Sequence, residues 1–513
     1  MFLVNLLPFY FLPFLFLIFF LSKLFSNSTP KNLLPSPPKF PIIGNLHQLG
    51  TFPHRSLHSL SKKYGQLMSL KFGSVPVLVV SSAFAAREIM KTHDMVFSSR
   101  PKYYIAEKLF YGSQDVVFSS YGEHWRQVKR ICVLHLLTNK RVQSYRYVRE
   151  EETSLMIDKI RSSTCLDSGT SSVNLSELFY SLSYNIVCRV ALGKEYNERE
   201  GGKRFKDLLR RIVDLAGVFN MGDYIPSLAW VNSINGWNAA VDKVAKELDE
   251  FFEGVIQERV DLYTRPTGDC GSFESEGSQN FVDILLEIQR EKISSCSPNQ
   301  RDLIKALIWD MLGGGTDTTF ITLEWAMAEL IRHPQAMKKL QNEARETARG
   351  KENVTEDDLD KMHYLKAVIK ESLRMHPPFA LLVPRESTKD ANVMGYDIAA
   401  RTQVIVNAWA ISRDPSSWEE PEEFRPERFF NGTSFGLRGN DFESIPFGAG
   451  RRGCPGSLFT IRAVELALAN ILHKFEFSLP GGTNGEDLDM TEVIGAFHKI
   501  KNPLIVVATP YTS

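Results

Sequence analysis

With 60 basic and 60 acidic side chains in 513 residues, the chain carries no net charge. It therefore lacks a general electrostatic basis for binding nucleic acid, which needs a basic stripe to displace counterions from phosphates. Hydrophobic residues make up 43% and charged residues 23%, which excludes collagenous and wholly disordered chains and leaves a folded protein able to bury a large core.

Residues 2–21 are apolar except for Asn5, and as a helix they would span about 30 Å, the thickness of a bilayer core. No basic residue precedes them, whereas Lys23, Lys31 and Lys39 follow. These flanks predict an uncleaved anchor over residues 1–25, a single pass with the body in the cytosol, in place of a cleaved signal. Residues 26–49 read as a proline-rich hinge, with Pro30, Pro35, Pro37, Pro38 and Pro41 favouring stiff extended chain. The body, residues 50–513, is dominated by helical spacing of apolar residues, clearest over 57–64, 84–92 and 241–260. Strand-like runs rich in Val, Ile and Leu are fewer and cover 67–72, 75–80, 403–408 and 504–508. Segments 163–172 and 265–280 read as exposed loops. The expected fold class is mainly α with a minor β lobe, with no internal repeat.

The six cysteines, Cys132, Cys165, Cys188, Cys270, Cys296 and Cys454, form neither a CxxC pair nor a disulfide ladder, and read as free thiols of a reducing compartment. Cys454 stands apart because it ends a glycine-rich turn, residues 447–456, just before an apolar helical run over 461–472. A helix start favours a thiolate, and Arg451 and Arg452 add positive charge. On these grounds alone it could be a nucleophile, a structural thiol or an iron ligand; zinc is disfavoured because no second Cys or His stands at ligand spacing. A second constellation, Gly313-Gly314-Gly315-Thr316-Asp317-Thr318-Thr319, lies within a helical pattern over 301–332. Three glycines inside a helix cost roughly 3 kcal/mol relative to Ala, which suggests close approach of backbone to a ligand, the alternative being a hinge between two helices. Glu371 and Arg374 form an ExxR pair on one helix face. The same spacing occurs at Glu123/Arg126, Glu287/Arg290, Glu329/Arg332, Glu346/Arg349 and Glu422/Arg425, most of which read as solvated helix faces.

Phe447, Gly450, Arg452, Cys454 and Gly456 match the haem-binding signature Phe-x-x-Gly-x-Arg-x-Cys-x-Gly, and here the chain resembles the cytochrome P-450 superfamily. Residues 314–319 look like its oxygen-binding motif. Glu371 is followed by His376-Pro377-Pro378, Pro384-Arg385-Glu386 and Pro426-Glu427-Arg428-Phe429, in the family's order. The resemblance covers essentially the whole chain and looks closest to the plant enzymes of specialised metabolism in the endoplasmic reticulum. It implies a triangular, mostly helical prism holding haem b, with Cys454 on the iron. Trp125, Lys129, Arg385 and Arg452 would face the haem propionates, Lys129 standing where the family's Trp-x-x-x-Arg pattern has Arg. Glu371, Arg374 and Arg428 would form a buried structural charge network. Thr318 and Asp317 would relay protons to bound dioxygen, and substrate contacts would come from 103–118, 213–219, 311–318, 379–383 and 494–497. No Gly-x-Gly-x-x-Gly opens a βαβ unit, so NADPH and flavin would act only through a partner flavoprotein reductase. The expected function is hydroxylation or other oxidation of a small apolar plant metabolite (terpenoid, coumarin, phenylpropanoid or alkaloid) at the membrane lipid surface. The rival readings are a haem-thiolate isomerase or dehydratase that needs no reductase, and a non-enzymatic haem sensor or carrier.

Overall fold

Most of the body folds as helix because its apolar residues recur at three- and four-residue spacing. The computed structural model describes residues 32–165, 172–194, 202–264, 279–291, 300–430 and 441–511. Its longer helices are α1 (Pro53–Tyr64), α2 (Glu123–Ile131), α3 (Arg146–Cys165), α4 (Leu175–Leu192), α5 (Gly202–Gly217), α6 (Trp237–Thr264), α7 (Phe281–Glu291), α8 (Gln300–Arg332), α9 (Pro334–Thr347), α10 (His363–Met375) and α11 (Ser457–Lys474). The strands are β1 (Leu67–Phe72), β2 (Val75–Val80), β3 (Ser172–Asn174), β4 (Arg385–Glu386), β5 (Ala391–Val393), β6 (Tyr396–Ile398), β7 (Gln403–Val406), β8 (Phe475–Ser478) and β9 (Ile505–Pro510). They make a four-stranded sheet in the order β1-β2-β7-β4, a three-stranded sheet β3-β9-β8 and a hairpin β5-β6. The class is as expected, helical with a small sheet region.

α8 is the axis of the molecule. Nearly every side chain from Ile304 to Ile331 is buried, as befits a helix apolar on all faces. It packs along α4, where a Cβ at Gly315 would stand 2.9 Å from Val187 Cγ2, and α11 lies close enough for Thr319 Oγ1 to reach Thr460 Oγ1 at 3.4 Å. The three glycines therefore interrupt no helix. Gly315 serves helix–helix packing, and Gly313 lies against the Trp309 ring, so only Gly314, with open space before it, retains the expected role of baring backbone to a ligand.

The anchor expected over residues 1–25 falls outside the described residues, as do 166–171 and 265–278 of the two expected loops; no described helix is long and apolar enough to cross a membrane. The described part of the hinge is docked on the body. Ser69 N–H donates to the Pro35 carbonyl at 2.9 Å, and the buried Asn45 side chain donates to the Pro38 carbonyl and accepts from Lys71 N–H. The strand expected over 403–408 stops at Val406, because Asn407 accepts from Ala410 N–H at 3.0 Å and caps the short helix Ala408–Ile411. The ExxR spacings expected on solvated faces divide. Glu329 is buried against His376, and Glu422, outside any helix, pairs with Arg413 at 3.1 Å.

Glu371 and Arg374 are fully buried on α10. Arg374 donates twice to Glu371, at 2.7 and 2.8 Å, and to the carbonyls of Ser412, Pro421 and Glu423. Glu371 also accepts from Arg425 N–H at 2.8 Å and from Arg428 Nε at 2.9 Å. Removing one member of a buried pair leaves an uncompensated charge, so Arg374→Ala should lower stability by about 3–5 kcal/mol. Arg374→Lys should cost nearly as much, since a point charge cannot serve the fork of acceptors. Urea unfolding checks both, and a loss under about 1 kcal/mol, the size seen for exposed pairs, would show that the network carries no structural load.

Candidate active site

The turn before α11 is closed by its own backbone: Cys454 N–H donates to the Phe447 carbonyl at 2.9 Å, and Gly453 N–H to the Gly450 carbonyl at 3.0 Å. Gly450 has φ +67°, and a Cβ there would stand 2.1 Å from the Met90 carbonyl oxygen, so both conformation and space demand glycine. Phe447 is half-buried and packs on the main core, while Gly456 is the N-cap residue of α11. The Cys454 side chain is exposed at its own surface, yet dense surrounding protein pushes its thiol upward by burial. Both facts hold if the sulfur faces an internal opening. The N–H groups of Gly456 and Ser457, with Lys129, oppose that push and favour the thiolate. Cys132 and Cys188 are also free, but they are fully buried and burial drives their pKa values up, out of the reactive range.

One strip of α8 is open where the rest of the helix is closed. Met311, Gly314 and Thr318, at three- and four-residue spacing, are partly or fully exposed, as in part are Gly313 and Gly315, while Leu312, Thr316, Asp317 and Thr319 are buried. Thr318 Oγ1 donates to the Gly314 carbonyl at 2.6 Å, so its proton is committed and its lone pairs face outward as acceptors. Asp317 points elsewhere: it is buried, and Arg210 and Asp214 of α5, Lys499 and Tyr180 surround it. Burial raises its pKa to about 6, with Lys499 and Arg210 opposing the shift. Thr318 and Asp317 are thus neighbours in sequence that face different environments.

A cluster of cations flanks the cysteine turn. Arg100, Arg385 and Arg452 are buried and Lys129 is half-buried. Arg452 donates to the carbonyls of Ser98, Val116 and Ser119, and its guanidinium lies 4.3 Å from the centre of the Trp125 ring. Burial and the neighbouring Arg385 bring its pKa down to about 9. Arg100 bonds the carbonyls of Val117, Val383 and Pro384, and burial with Arg452 and Arg385 lowers it as well. Arg385 reaches Asp94 at 3.2 Å and the Ala449 carbonyl at 2.7 Å. Lys129 Nζ donates to the Gly453 carbonyl at 2.9 Å, while Trp125 Nε1 donates to the Val116 carbonyl at 3.0 Å. Nearby negative charge comes from Asp94 and from the buried Asp115, which lies close to Asp310; burial raises the pKa of both carboxyls. The cluster keeps an excess of positive charge at a buried place, and an anionic group would relieve it.

The structure brings Phe447, Gly450, Arg452, Cys454, Gly456, Trp125, Lys129 and Arg385 together. Glu371, Arg374 and Arg428 form a separate network behind them. Arg100, Asp94 and the Asp115–Asp310 pair escaped the sequence reading. Asp310 had a signal, an acid within the apolar run 306–312; Arg100, one cation before a proline, had none. The set as built, an accessible sulfur backed by N–H dipoles beside unbalanced cations and an apolar strip, can hold a large apolar metal complex with anionic arms.

Comparison with known proteins gives this set its context. The family model for Cytochrome P450 matches residues 34–506. Cytochrome P450 71A2 of Solanum melongena is 56% identical over 491 residues, covering 95% of each chain. The (+)-menthofuran synthase of Mentha piperita is 52% identical over 488 residues, again 95% of each chain. The tabersonine/lochnericine 19-hydroxylase of Catharanthus roseus is 47% identical over 503 residues, 98% of this chain and 97% of that one. The chain belongs to the cytochrome P450 family and is a haem-thiolate oxidoreductase whose cofactor is haem b.

Proposed function

We propose that this protein is a membrane-anchored monooxygenase of the endoplasmic reticulum, facing the cytosol, that oxidises a small apolar plant specialised metabolite of the terpenoid, coumarin, phenylpropanoid or alkaloid kind. It would draw electrons from NADPH through a flavoprotein reductase in the same membrane. The observation that carries this reading is the exposed sulfur of Cys454 at the start of α11, with the strip Met311, Gly314 and Thr318 on the neighbouring α8. The names of the relatives support oxidation of plant metabolites, and the apolar residues 2–21 support the anchor.

The residues present fit haem b: Cys454 would take the iron, and Arg100, Lys129, Trp125, Arg385 and Arg452 would face its carboxylate arms. When bound, that group activates dioxygen, its thiolate ligand donating electron density that favours O–O cleavage. The chain's own contribution is placement. Phe118, Val383 and Phe497, all half-buried, would line the substrate side with Met311, and Phe497 packs on Phe379 with ring centres 4.7 Å apart. Thr318, an acceptor on its open side, would orient a water molecule by accepting from it. Asp317, with its pKa near 6, would take protons from the side of α5 and pass them inward.

Microsomes carrying the full chain and a plant reductase, given a panel of such metabolites under labelled dioxygen, should form product that gains one labelled oxygen atom and depends on NADPH. Product formed without either would favour the isomerase or dehydratase reading. Binding without any product across the panel would favour a sensor or carrier.

Thr318→Ala should leave haem content near normal and uncouple the reaction. NADPH consumption should continue while hydrogen peroxide rises and product per NADPH falls by about tenfold or more. A positioned proton-transfer group contributes on the order of 100-fold where nothing replaces it, and water fills part of the role here. An unchanged ratio would leave Thr318 with only its bond to the Gly314 carbonyl. Asp317 is protonated below about pH 6, so turnover limited by proton supply should decline as pH rises from there. Asp317→Asn should turn over more slowly, with a larger solvent isotope effect and a flatter pH profile.

A further inference from the structure

Away from the cysteine turn, three buried side chains from distant parts of the chain converge. His54 lies in the first turn of α1, while Glu492 and His498 stand on the two arms of a loop closed by the backbone bond from Val493 N–H to the Lys499 carbonyl. All three are more than nine-tenths buried. His54 Nε2 lies 3.0 Å from Glu492 Oε2, His498 Nε2 lies 3.1 Å from Glu492 Oε1, and the three ligand atoms fall within 4.8 Å of one another.

These contacts are near but not aligned as hydrogen bonds. His54 Nε2, Glu492 Oε2 and both ring nitrogens of His498 have no hydrogen-bond partner. Buried polar atoms in such a state are costly unless something satisfies them. Imidazolium groups clasping the carboxylate would aim their N–H bonds at its oxygens. Here the donor atoms converge instead: the two nitrogen–oxygen separations, 3.0 and 3.1 Å, are close to the roughly 3.3 Å that ligands about 2.0–2.1 Å from one tetrahedral ion keep from each other, and all three ligand atoms lie within 4.8 Å of one another. Arg55 holds the Oε1 side of Glu492, as carboxylate ligands are commonly held by an outer partner. Trp409 and Trp325 wall the two imidazoles, with ring centres 5.2 Å away in each case.

We propose that His54, Glu492 and His498 bind a divalent transition-metal ion, zinc by the chemistry of two imidazoles and one carboxylate, with a fourth position left for water. Magnesium and calcium prefer all-oxygen sets. The role of the ion is structural. It joins α1 to the loop bearing Phe497, whose backbone is already pinned by His498 N–H to the Pro378 carbonyl at 2.9 Å and by Trp325 Nε1 to the His498 carbonyl at 2.8 Å. It thereby fixes one wall of the substrate side from behind.

The test uses the full-length haem protein, solubilised from membranes, free of any histidine tag and stripped with EDTA. Zinc ion is the probe, measured by equilibrium dialysis and elemental analysis against haem iron. The expected result is about one zinc per chain and a thermal midpoint that rises with zinc. Glu492→Gln keeps side-chain volume and neutral hydrogen bonding and should retain its Soret spectrum, yet bind zinc about 100-fold more weakly; His54→Ala should behave likewise. Absence of bound zinc in the parent protein overturns the proposal whatever the variants do. Equal zinc binding by the parent and both variants overturns it too, by showing adventitious capture elsewhere.

Discussion

A guanidinium has five N–H donors, and Arg374 commits all five within the protein at 3.2 Å or less. The segment from Ser412 to Arg428, which leads toward the cysteine turn, contains no long helix or strand, so its carbonyls need partners that secondary structure does not supply. Arg374 supplies three of them. Glu371 keeps that buried cation neutralised and uses its remaining acceptor capacity on Arg425 N–H and Arg428. One pair on a rigid helix thus gives a stretch of irregular chain a single conformation. The pair touches nothing in the cysteine turn, which is why its role is support and not chemistry.

The cysteine turn obeys the opposite rule. There the buried charges do not balance: Arg100, Arg385, Arg452 and Lys129 spend most of their donors on backbone carbonyls, burial lowers the pKa of all four, and neighbouring cations add to the shift at Arg100, Arg452 and Lys129. Such a cluster weakens an isolated fold, and it becomes favourable with an anionic partner at hand. The same positive field, with the N–H groups at the start of α11, is what a thiolate requires. Folding the chain and readying Cys454 therefore pull in different directions, and haem b, held with its carboxylates toward these cations, would reconcile them.

How much of this was legible depends on how local each cause is. β1 and β2 were readable to the residue because two runs rich in Val and Leu flank Gly73, whose φ of +58° makes the turn between them. The glycine-rich turn, the cysteine and the ExxR pair were readable as motifs. Partners supplied by tertiary contact were not. Glu329 carries the same ExxR spacing as Glu371, but its burial follows from His376, 47 positions later, stacked on Trp325 at 3.8 Å between ring centres. Gly315 looked like a ligand-facing glycine, and only the position of Val187 shows that it faces α4. The hinge read as a spacer because prolines mark extended chain, whereas the Asn45 side chain and the backbone bonds from Asn45 N–H to the Lys71 carbonyl and from Gly73 N–H to the Ile43 carbonyl dock its second half.

α8 carries the last constraint. An almost wholly buried helix should contain no acids, yet Asp310, Asp317 and Glu324 recur along it at seven-residue spacing, about 10.5 Å apart along the axis. Burial raises all three, Asp317 to about 6 and Glu324 to about 7, with Asp310 well above its usual range. Two of them meet partners that anchor other segments: Asp310 accepts from Val116 N–H at 2.8 Å, and Glu324 accepts from the Ser176 hydroxyl at 2.5 Å. Those two hold the residue 115–118 loop and the start of α4 against the helix. Asp317, between them, has charged neighbours but no such anchor. Of the three it is the one without such a bond, and it stands beside Thr318, whose hydroxyl bonds the Gly314 carbonyl. A helix that must be apolar to sit at the centre thus retains two of these acids to fasten other segments, and the third, which has no such bond, is the one that the proposed proton delivery would use.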